Sequence, residues 1–502
     1  MDADYIVVGT GSAGSVVANR LSADPSASVV VLEAGPRDKD KFIHIPAGFA
    51  KLFRSDMDWD YLTEPQKELD GREIYWPRGK VLGGSSSMNA MMWVRGFPAD
   101  YDEWAEHAGD RWSYANVEKH LRRIETGPLV ISPQRSPRTS TTAWLEAVRE
   151  CGYEGFVETR VTQRRGARWS CADAYLKPAL RRKNLTLHTE ATVTRILFDG
   201  TRATGVEFEQ LGQRRVVRAR REVVLCAGAI NSPQMLMLSG VGAQNQLGEH
   251  GIDVVADAPG VGANLLDHLV VPLGFDVPND TLFAAEKPLQ LVNYLVRRRG
   301  MLTSNVGEAY GFVKSRPDLE WPDLELIFAP APYFEEGLGD PYDRHAVVMG
   351  PILLKPRSTG RITLRSADSK DKPIIDPGYL TDTAGEDRAA LMAGLRMCAD
   401  IAKSAALKGI IGKVARPLGA TDLDDETLEQ ALNSLSHTLY HPVGTCRMGS
   451  DDASVVDPEL RVRGVEGLRV ADASVMPTII RGHTHAPAVL IGEKAADLIA
   501  AG

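Results

Sequence analysis

The sequence of 502 residues predicts an α/β protein, α+β overall, in which a Rossmann-like doubly wound domain carries a second domain of antiparallel sheet backed by helices. Three observations predict this class. A glycine-rich turn follows the first apolar strand, parallel strands linked by helices flank the middle of the chain, and the middle contains alternating stretches typical of antiparallel strands. The length exceeds one ordinary hydrophobic core, which favours two or three domains.

The composition is that of a globular protein and argues against nucleic-acid binding. Hydrophobic residues make up 43% of the chain and charged residues 25%, which is average for soluble proteins. The formal net charge is −8, whereas binding to phosphate backbones needs a basic face. The arginine run 297–299 borders an apolar stretch, so we interpret it as the solvated end of a helix.

The cysteines and the N-terminus indicate where the protein works. Five cysteines are widely spaced and show no zinc-type pattern, so we expect reduced thiols and no metal site. No stretch approaches the roughly 18 apolar residues of a membrane span. The chain starts with a strand instead of a cleavable leader. We therefore expect a cytoplasmic protein without a membrane span, and the sequence does not indicate its oligomeric state.

The first glycine motif predicts a dinucleotide site. Residues 5–8 form an apolar strand that leads into a Gly-X-Gly-X-X-Gly turn, and residues 15–21 then favour a helix. Gly9 permits the tight turn, Gly11 lets a pyrophosphate approach the backbone, and Gly14 lets the helix pack closely on the strand.

A second strand completes this unit with an acidic residue. Residues 29–32 end at Glu33, 19 residues after Gly14, where a carboxylate is expected to accept hydrogen bonds from a ribose 2′-hydroxyl. A 2′-phosphate would be repelled there, which disfavours NADP. The motif alone leaves FAD and NAD open.

Four further blocks carry a family resemblance. Residues 77–91 contain paired glycines and a serine run that suit a backbone nest, and residues 228–242 form a second loop and helix. With the first glycine motif, these blocks resemble the two sequence signatures of the glucose-methanol-choline (GMC) FAD-dependent oxidoreductases. Residues 260–268 and 468–477 resemble the flavin-side turn and the last strand and loop of that family. The matching blocks run from residue 5 to about residue 495, and residues 59–95 look most like the choline-dehydrogenase-like branch.

The resemblance implies an FAD cofactor and carries over a set of cofactor-binding residues from several separate parts of the chain. These residues are Gly9, Gly11, Ser12, Ala13, Gly14, Glu33, Ala34, Arg78, Val81, Gly83, Gly84, Ser85, Asn89, Ala90, Met91, Val193, Ala227, Gly228, Asp472, Ala473, His483 and Thr484. Some relatives attach FAD through a histidine directly after the serine run. Here that residue is Met88, whose thioether is not the nucleophile for such a bond, so we expect non-covalent FAD.

The resemblance also implies two discontinuous domains. We expect an FAD-binding domain of residues 1–98, 170–268 and 441–502, and a substrate-binding domain of residues 99–169 and 269–440. As sequence blocks, the family's N-terminal and C-terminal regions correspond to residues 4–270 and 358–495.

Local patterns add detail to both domains. Residues 192–209 predict a hairpin that turns at Asp199 and Gly200. The alternation at residues 361–365 indicates a strand of the substrate domain, and residues 385–404 and 425–436 predict helices.

Histidine is the expected catalytic residue type. Oxidation of an alcohol removes a proton from oxygen and a hydride from carbon; flavin accepts the hydride, and histidine titrates near neutrality. His441, directly before residues 442–445 (Pro-Val-Gly-Thr), matches the catalytic histidine of the family. His483, 42 positions further on, matches a partner that is His or Asn in other members, and we expect it to stabilise the developing alkoxide.

Three other histidines are weighed against this pair. His485 is a possible catalytic residue, because the chain reads His-Thr-His where relatives often read Asn-Thr-Asn. His437 and His268 are interpreted mainly as structural or flavin-contacting.

The predicted function is oxidation of a primary alcohol, small and aromatic or aliphatic, to an aldehyde. A histidine removes the proton, hydride passes to flavin N5, and oxygen or another acceptor reoxidises the flavin. One alternative is a choline-type amino alcohol, which needs an anionic or aromatic cage; others are a non-redox hydroxynitrile lyase and a binding protein with an inactive flavin site. The identity of the alcohol and of the acceptor stays open. Near Thr126 the chain is shorter than many relatives, which have a loop that covers the flavin there, and whether this exposes the site also stays open. The cage candidates are Glu325, Tyr333, Phe334, Glu335 and Glu336.

Overall fold

The structure is a computed structural model that describes residues 2–335, 338 and 342–501. Labels follow chain order. The strands are β1 (Asp2–Val8), β2 (Val29–Leu32), β3 (Tyr61–Leu62), β4 (Tyr75–Trp76), β5 (Val157–Glu158), β6 (Gln163–Arg164), β7 (Ala167–Arg168), β8 (Leu185–His188), β9 (Ala191–Asp199), β10 (Arg202–Gln210), β11 (Gln213–Leu225), β12 (Val241–Gly242), β13 (Ala256–Asp257), β14 (Leu269–Val270), β15 (Leu273–Asp276), β16 (Ala309–Val313), β17 (Leu324–Ala329), β18 (Ala346–Leu353), β19 (Arg361–Thr363), β20 (Ile374–Asp376), β21 (Val414–Arg416), β22 (His437–Thr438) and β23 (Leu468–Val470).

Helices connect these strands and cover the sheets. They are α1 (Ser12–Leu21), α2 (Lys41–His44), α3 (Pro98–Ala108), α4 (Tyr114–Thr126), α5 (Thr139–Glu150), α6 (Lys177–Ala179), α7 (Gly228–Leu238), α8 (Gln244–Glu249), α9 (Pro288–Arg297), α10 (Glu386–Ala402), α11 (Asp425–Leu435) and α12 (His485–Ala501). A 3₁₀ helix at Pro46–Leu52 follows α2. No helix within the described ranges is both long and apolar enough to span a membrane.

The first sheet has a parallel core in the order β8-β2-β1-β11-β23. All four residues of β2 are buried, as expected for a strand covered on both faces. β11 is long enough to pair with β1 through its second half and with β10 through its first half, so the antiparallel β9-β10 hairpin extends the sheet. The predicted hairpin, with its turn after Asp199, is confirmed.

The second sheet is antiparallel along the order β21-β15-β18-β17-β16. Its central strand β18 is buried over all eight residues, and α10 and α5 pack against this part of the sheet. The predicted α/β class and the two predicted helices, α10 and α11, are confirmed. The strand predicted within residues 361–365 is confirmed as β19. β19 pairs with β20 in a separate two-stranded sheet, because alternation sets which face is apolar but not which strand is the neighbour.

Close backbone packing seats α1 between β1 and α12. A Cβ atom on Gly14 would lie 2.1 Å from the carbonyl oxygen of Gly9, and one on Gly492 in α12 would lie 2.8 Å from the carbonyl oxygen of Ala13. Arg20 of α1 forms ion pairs with two acids of α12. The two ends of the chain are thus packed directly on each other.

We predict that Gly14→Ala lowers the free energy of unfolding by about 1–3 kcal/mol, because the added methyl group overpacks this contact. Gly248→Ala is the matched control, since Gly248 is also a helical glycine but a methyl group added to it would meet no atom within 4 Å. This variant should be neutral or stabilised by up to about 1 kcal/mol. Urea unfolding of the purified proteins measures both values, and equal midpoints for the two variants would contradict the packing argument.

Candidate active site

A cavity of about 350 Å³ lies where strands of the two sheets meet. We call the part next to Gly9 and Gly11 the glycine part and the part next to His437 and His441 the histidine part. The glycine part is lined by residues at or just after the carboxyl ends of β1, β2 and β11, namely Val8, Leu32 and Cys226. The histidine part is lined by Val270 and Val348 of the second sheet. The carboxyl ends of parallel strands are the usual place for a ligand in an open α/β sheet. The cavity is therefore the candidate site.

Most residues predicted to contact FAD line this one cavity. They are Gly9, Gly11, Ser12, Ala13, Glu33, Ala34, Arg78, Gly84, Ser85, Asn89, Ala90, Met91, Val193, Ala227, Gly228, Asp472, Ala473, His483 and Thr484. Gly14, Val81 and Gly83 do not line it. Val81 is fully buried in the core, and Gly14 and Gly83 are packed against neighbouring atoms.

The glycine part has the shape that a dinucleotide requires. Gly9 has φ +95°, which lets the chain turn sharply after β1. A Cβ on Gly11 would meet no atom within 4 Å, so this glycine leaves open space at the cavity wall next to the N-terminus of α1. A Cβ on Gly84 would lie 2.7 Å from Cα of Gly11, which shows that the two glycine-rich loops are in direct contact. This cradle fits a pyrophosphate group.

Glu33 lies at the end of β2 with a well-defined hydrogen-bond environment. Its Oε2 accepts bonds from the backbone N of Thr10 (3.0 Å) and from Thr10 Oγ1 (2.5 Å), and its Oε1 accepts one from the backbone N of Gly35 (2.9 Å). Burial raises the pKa of Glu33 above its ordinary value, while these bonds oppose the rise. A carboxylate has about four acceptor positions. Glu33 therefore retains capacity to accept a bond from a ribose hydroxyl.

Asp472, also predicted to contact the cofactor, is already saturated by protein donors. Oδ2 accepts bonds from the backbone N of Gly228 (2.8 Å) and from Ser232 Oγ (2.6 Å), and Oδ1 accepts two from Ser474. Burial raises the pKa of Asp472. Its carboxylate thus fastens the start of α7 to the loop after β23, and both segments line the cavity.

Asn89 is oriented by a buried arginine that sequence analysis missed. Asn89 Oδ1 accepts bonds from the backbone N of Met91 (3.0 Å) and from Arg168 Nη1 (2.8 Å). Both bonds use the oxygen, so the Nδ2 donors of Asn89 are left for a ligand in the cavity. Arg168 is 1% exposed, and burial lowers its pKa to about 9. Nothing in its sequence context marks it, because the contact joins residues 79 positions apart.

The hydrogen-bond network assigns the tautomer of His441. His268 Nε2 lies 3.1 Å from the carbonyl oxygen of Leu354, which accepts only, so His268 donates there and its Nδ1 carries the lone pair. His441 Nδ1 lies 2.9 Å from that Nδ1 and must be the donor. Neutral His441 therefore has its lone pair on Nε2, the nitrogen that is left for the cavity.

Burial keeps this pair of histidines neutral. It lowers the pKa of His268 to about 3 and, together with the charge of His483, lowers the pKa of His441 well below its ordinary value. The histidine that sequence analysis treated as mainly structural thus sets the protonation of the predicted base.

Asp267 holds the backbone of the loop that carries His441. Its carboxylate accepts bonds from the backbone N of His441 (2.8 Å), from Thr438 Oγ1 (2.6 Å) and from Tyr379 Oη (2.5 Å). Burial raises the pKa of Asp267 to about 6. Donors from two segments, residues 438–441 and Tyr379, therefore meet at Asp267 and fix the position of His441.

His483 lies against His441 and is bonded to a buried acid. The two imidazole ring centroids are 4.9 Å apart at 85°. His483 Nε2 is 3.0 Å from Oε1 of Glu325, a residue of β17 with no exposed surface. Glu325 Oε2 has no hydrogen-bond partner among the described residues. His483 therefore uses Nε2 for this acid and keeps Nδ1 for another partner.

His485 occupies a different environment from His483. It is the first residue of α12, its Nδ1 lies 3.0 Å from Ser12 Oγ, and its ring packs edge-on to Trp93. Burial lowers its pKa to about 4. The hydrogen bond of His485 thus joins it to the first glycine loop, whereas His441 is bonded to His268.

The histidine part of the cavity has aromatic walls that sequence analysis largely missed. Phe49, Phe53, Tyr333 and Tyr440 line it, with the rings of Phe53 and Tyr440 6.1 Å apart and the two tyrosine hydroxyls 3.2 Å apart. His437, which also lines the cavity, has a pKa lowered to about 4 by burial. These residues come from distant loops with no shared motif.

The other described candidates for a cationic cage do not line the cavity. Glu335 pairs with Arg416 at 2.8 Å, and the ring of Phe334 packs under the same guanidinium. Glu325 binds His483 as described. Glu336 lies outside the described residues.

Comparisons with known proteins identify the class. Family models described as GMC oxidoreductase match residues 3–270 and 356–492. An uncharacterised GMC-type oxidoreductase of Mycobacterium bovis is 68% identical over 99% of both chains. An alcohol dehydrogenase (acceptor) of Pseudomonas putida is 41% identical over 99% of this chain and 95% of its own, and human mitochondrial choline dehydrogenase is 40% identical over 99% and 89%. The crystal structure of pyridoxine 4-oxidase from Mesorbium loti is 29% identical with a TM-score of 0.90, covering 100% and 99%.

These matches and the dinucleotide cradle define an FAD-dependent oxidoreductase. The chain belongs to the GMC oxidoreductase family, as its sequence blocks predicted, and its cofactor is FAD.

We predict that the FAD is held without a covalent bond, because Met88, 3% exposed and lining the cavity, offers no nucleophile at the position where a histidine would attach it. Acid precipitation of the purified protein should release all of the yellow chromophore into the supernatant, measured by its visible absorbance. Flavin absorbance that remains in a washed pellet would contradict this prediction.

Proposed function

We propose that this enzyme oxidises a small, uncharged primary alcohol, aromatic or aliphatic, to the aldehyde. The observation that carries the proposal is the lone pair on His441 Nε2, which the hydrogen bonds of His268 leave for a cavity whose glycine part fits FAD. The residues that line this cavity are proposed as the FAD and substrate contacts. The two discontinuous domains stay as proposed from the sequence, with the first sheet as the core of the FAD-binding part.

In this mechanism His441 is the catalytic base. When bound, the flavin accepts a hydride from the alcohol carbon. His441 Nε2 takes the hydroxyl proton, and its Nδ1–H remains bonded to His268, so the ring stays in place as it becomes charged. Because burial lowers the pKa of His441, the residue stays neutral at pH values where an ordinary histidine is protonated.

His483 is the proposed electrostatic partner. Its Nε2 is bonded to the buried side chain of Glu325, whose Oε2 has no hydrogen-bond partner among the described residues. Its Nδ1 is proposed to donate a hydrogen bond to the substrate oxygen and to stabilise the negative charge that develops as the proton leaves. His485, bonded to Ser12, is proposed to position the first glycine loop and not the substrate.

The walls of the histidine part support an uncharged substrate. Phe49, Phe53, Val348 and Ile327 present apolar surface, and no carboxylate within residues 2–335, 338 and 342–501 lines this part. A quaternary ammonium group would have aromatic faces there but no carboxylate among the described residues that line this part. This favours apolar alcohols over choline. The final acceptor, oxygen or another oxidant, is part of the proposal.

Anaerobic addition of benzyl alcohol, hexanol, furfuryl alcohol and choline to the holoenzyme tests this function. We predict that apolar alcohols bleach the flavin and that choline does so far more slowly. Oxygen is then added, and peroxide is measured to identify the acceptor.

The variant His441→Asn should slow bleaching by about 10²–10⁴-fold, because the base is lost. The control variant is His250→Asn, which should match the unmodified enzyme because His250 does not line the cavity. Flavin that no alcohol bleaches would refute the proposal, and cyanide release from a hydroxynitrile without bleaching would indicate a lyase.

We predict that Glu325→Gln lowers kcat by roughly 10- to 100-fold, because His483 Nε2 loses the acidic partner to which it is bonded. The KM should change much less, since the apolar walls are intact. Glu335→Gln is the matched control, because Glu335 pairs with Arg416 and not with a histidine. Steady-state kinetics with the best alcohol measure both constants. An unchanged kcat, or a loss confined to KM, would show that Glu325 has no electrostatic role.

A further inference from the structure

Helix α9 presents its apolar side chains outward. Leu289 is 79% exposed and Val296 is 76% exposed. Leu291, Val292 and Leu295 are also exposed, while Tyr294 is the buried residue of this helix. A surface helix normally turns its apolar stripe toward the core. We call the five exposed side chains the α9 face.

Positive charge borders the α9 face at both ends. Lys287 precedes the helix, and arginines 297–299 end it, all of them exposed. None of the three arginines forms an ion pair with a carboxylate in the part of the chain that the structure describes. The local charge contrasts with the net charge of −8 for the whole protein. An apolar stripe flanked by cations is the pattern of a helix that lies in a membrane interface.

We propose that the α9 face docks on the surface of an anionic lipid bilayer, with its apolar side chains among the acyl chains and its arginines on the lipid phosphates. Charge complementarity decides between this partner and a second copy of the chain. Two copies meeting through this face would bring arginine clusters into one interface, where like charges repel. A bilayer that contains anionic lipid attracts them.

The buried side of α9 is linked to the segment that carries Phe49, a residue lining the cavity. Tyr294 Oη donates a bond to the carbonyl oxygen of His44 (3.2 Å), two residues before the start of the 3₁₀ helix that contains Phe49. Lys51, at the other end of that 3₁₀ helix, pairs with Glu286 at 2.8 Å. Docking therefore places the aromatic cavity wall close to the bilayer.

Flotation of the FAD-loaded enzyme with vesicles tests this docking. Vesicles of phosphatidylcholine with about 30 mol% phosphatidylglycerol should carry the enzyme upward at low salt, and pure phosphatidylcholine vesicles should carry much less. At 1 M salt, where the Debye length is about 3 Å, binding should fall by at least about tenfold. Flotation that is independent of both anionic lipid and salt overturns the proposal.

A matched pair of double variants shows whether the α9 face carries the binding. Leu289→Gln with Val296→Gln should weaken vesicle binding by at least about tenfold. Leu211→Gln with Leu418→Gln, at residues 80% and 73% exposed elsewhere on the protein, should leave it unchanged. Flavin absorbance and alcohol-dependent bleaching should be unaltered in both. Equal loss in the two pairs overturns the proposal, as does a vesicle-free dimer that the α9 variants alone dissociate, which would assign the face to a second copy.

Discussion

The close packing of backbone on backbone around α1 is the constraint on which the rest of the structure depends. Gly9, Gly14, Gly84 and Gly492 each occupy a position where a side chain would collide with a neighbouring carbonyl or Cα atom. Because these contacts join β1, the second glycine-rich loop and α12, they fix the two ends of the chain and the loop at residues 77–91 relative to one another. The cradle for FAD is formed by this packing, and larger side chains would open it.

Two histidines at the same site are placed in different electrostatic environments. His441 is bonded to the neutral His268, which in turn donates to a backbone carbonyl, so burial favours the uncharged form of His441. His483 is bonded instead to the buried side chain of Glu325. Different surroundings can give two neighbouring titratable groups different roles in one site.

Sequence patterns predicted the parts of the fold that local chemistry determines. The strand, turn, helix and acid from β1 to Glu33 follow from apolar periodicity and glycine spacing, and the β9-β10 hairpin follows from its turn. The strand within residues 361–365 follows from its alternation, whereas its pairing with β20 is a long-range property that alternation does not record. His441 and His483 were found through family resemblance. Glu325, His268 and Arg168 gained their roles from contacts between residues more than 75 positions apart, which no local pattern records.

The packing of α12 on α1 also determines when the FAD site can be completed during protein synthesis. His483 and Thr484 directly precede the last helix, and Ser12 contacts His485 at its start. A chain still emerging from the ribosome already contains β1 and the first glycine loop, yet lacks the segment that closes them. The FAD cradle therefore lacks His483, Thr484 and the helix that packs on α1 until the segment from residue 483 onward has been synthesised.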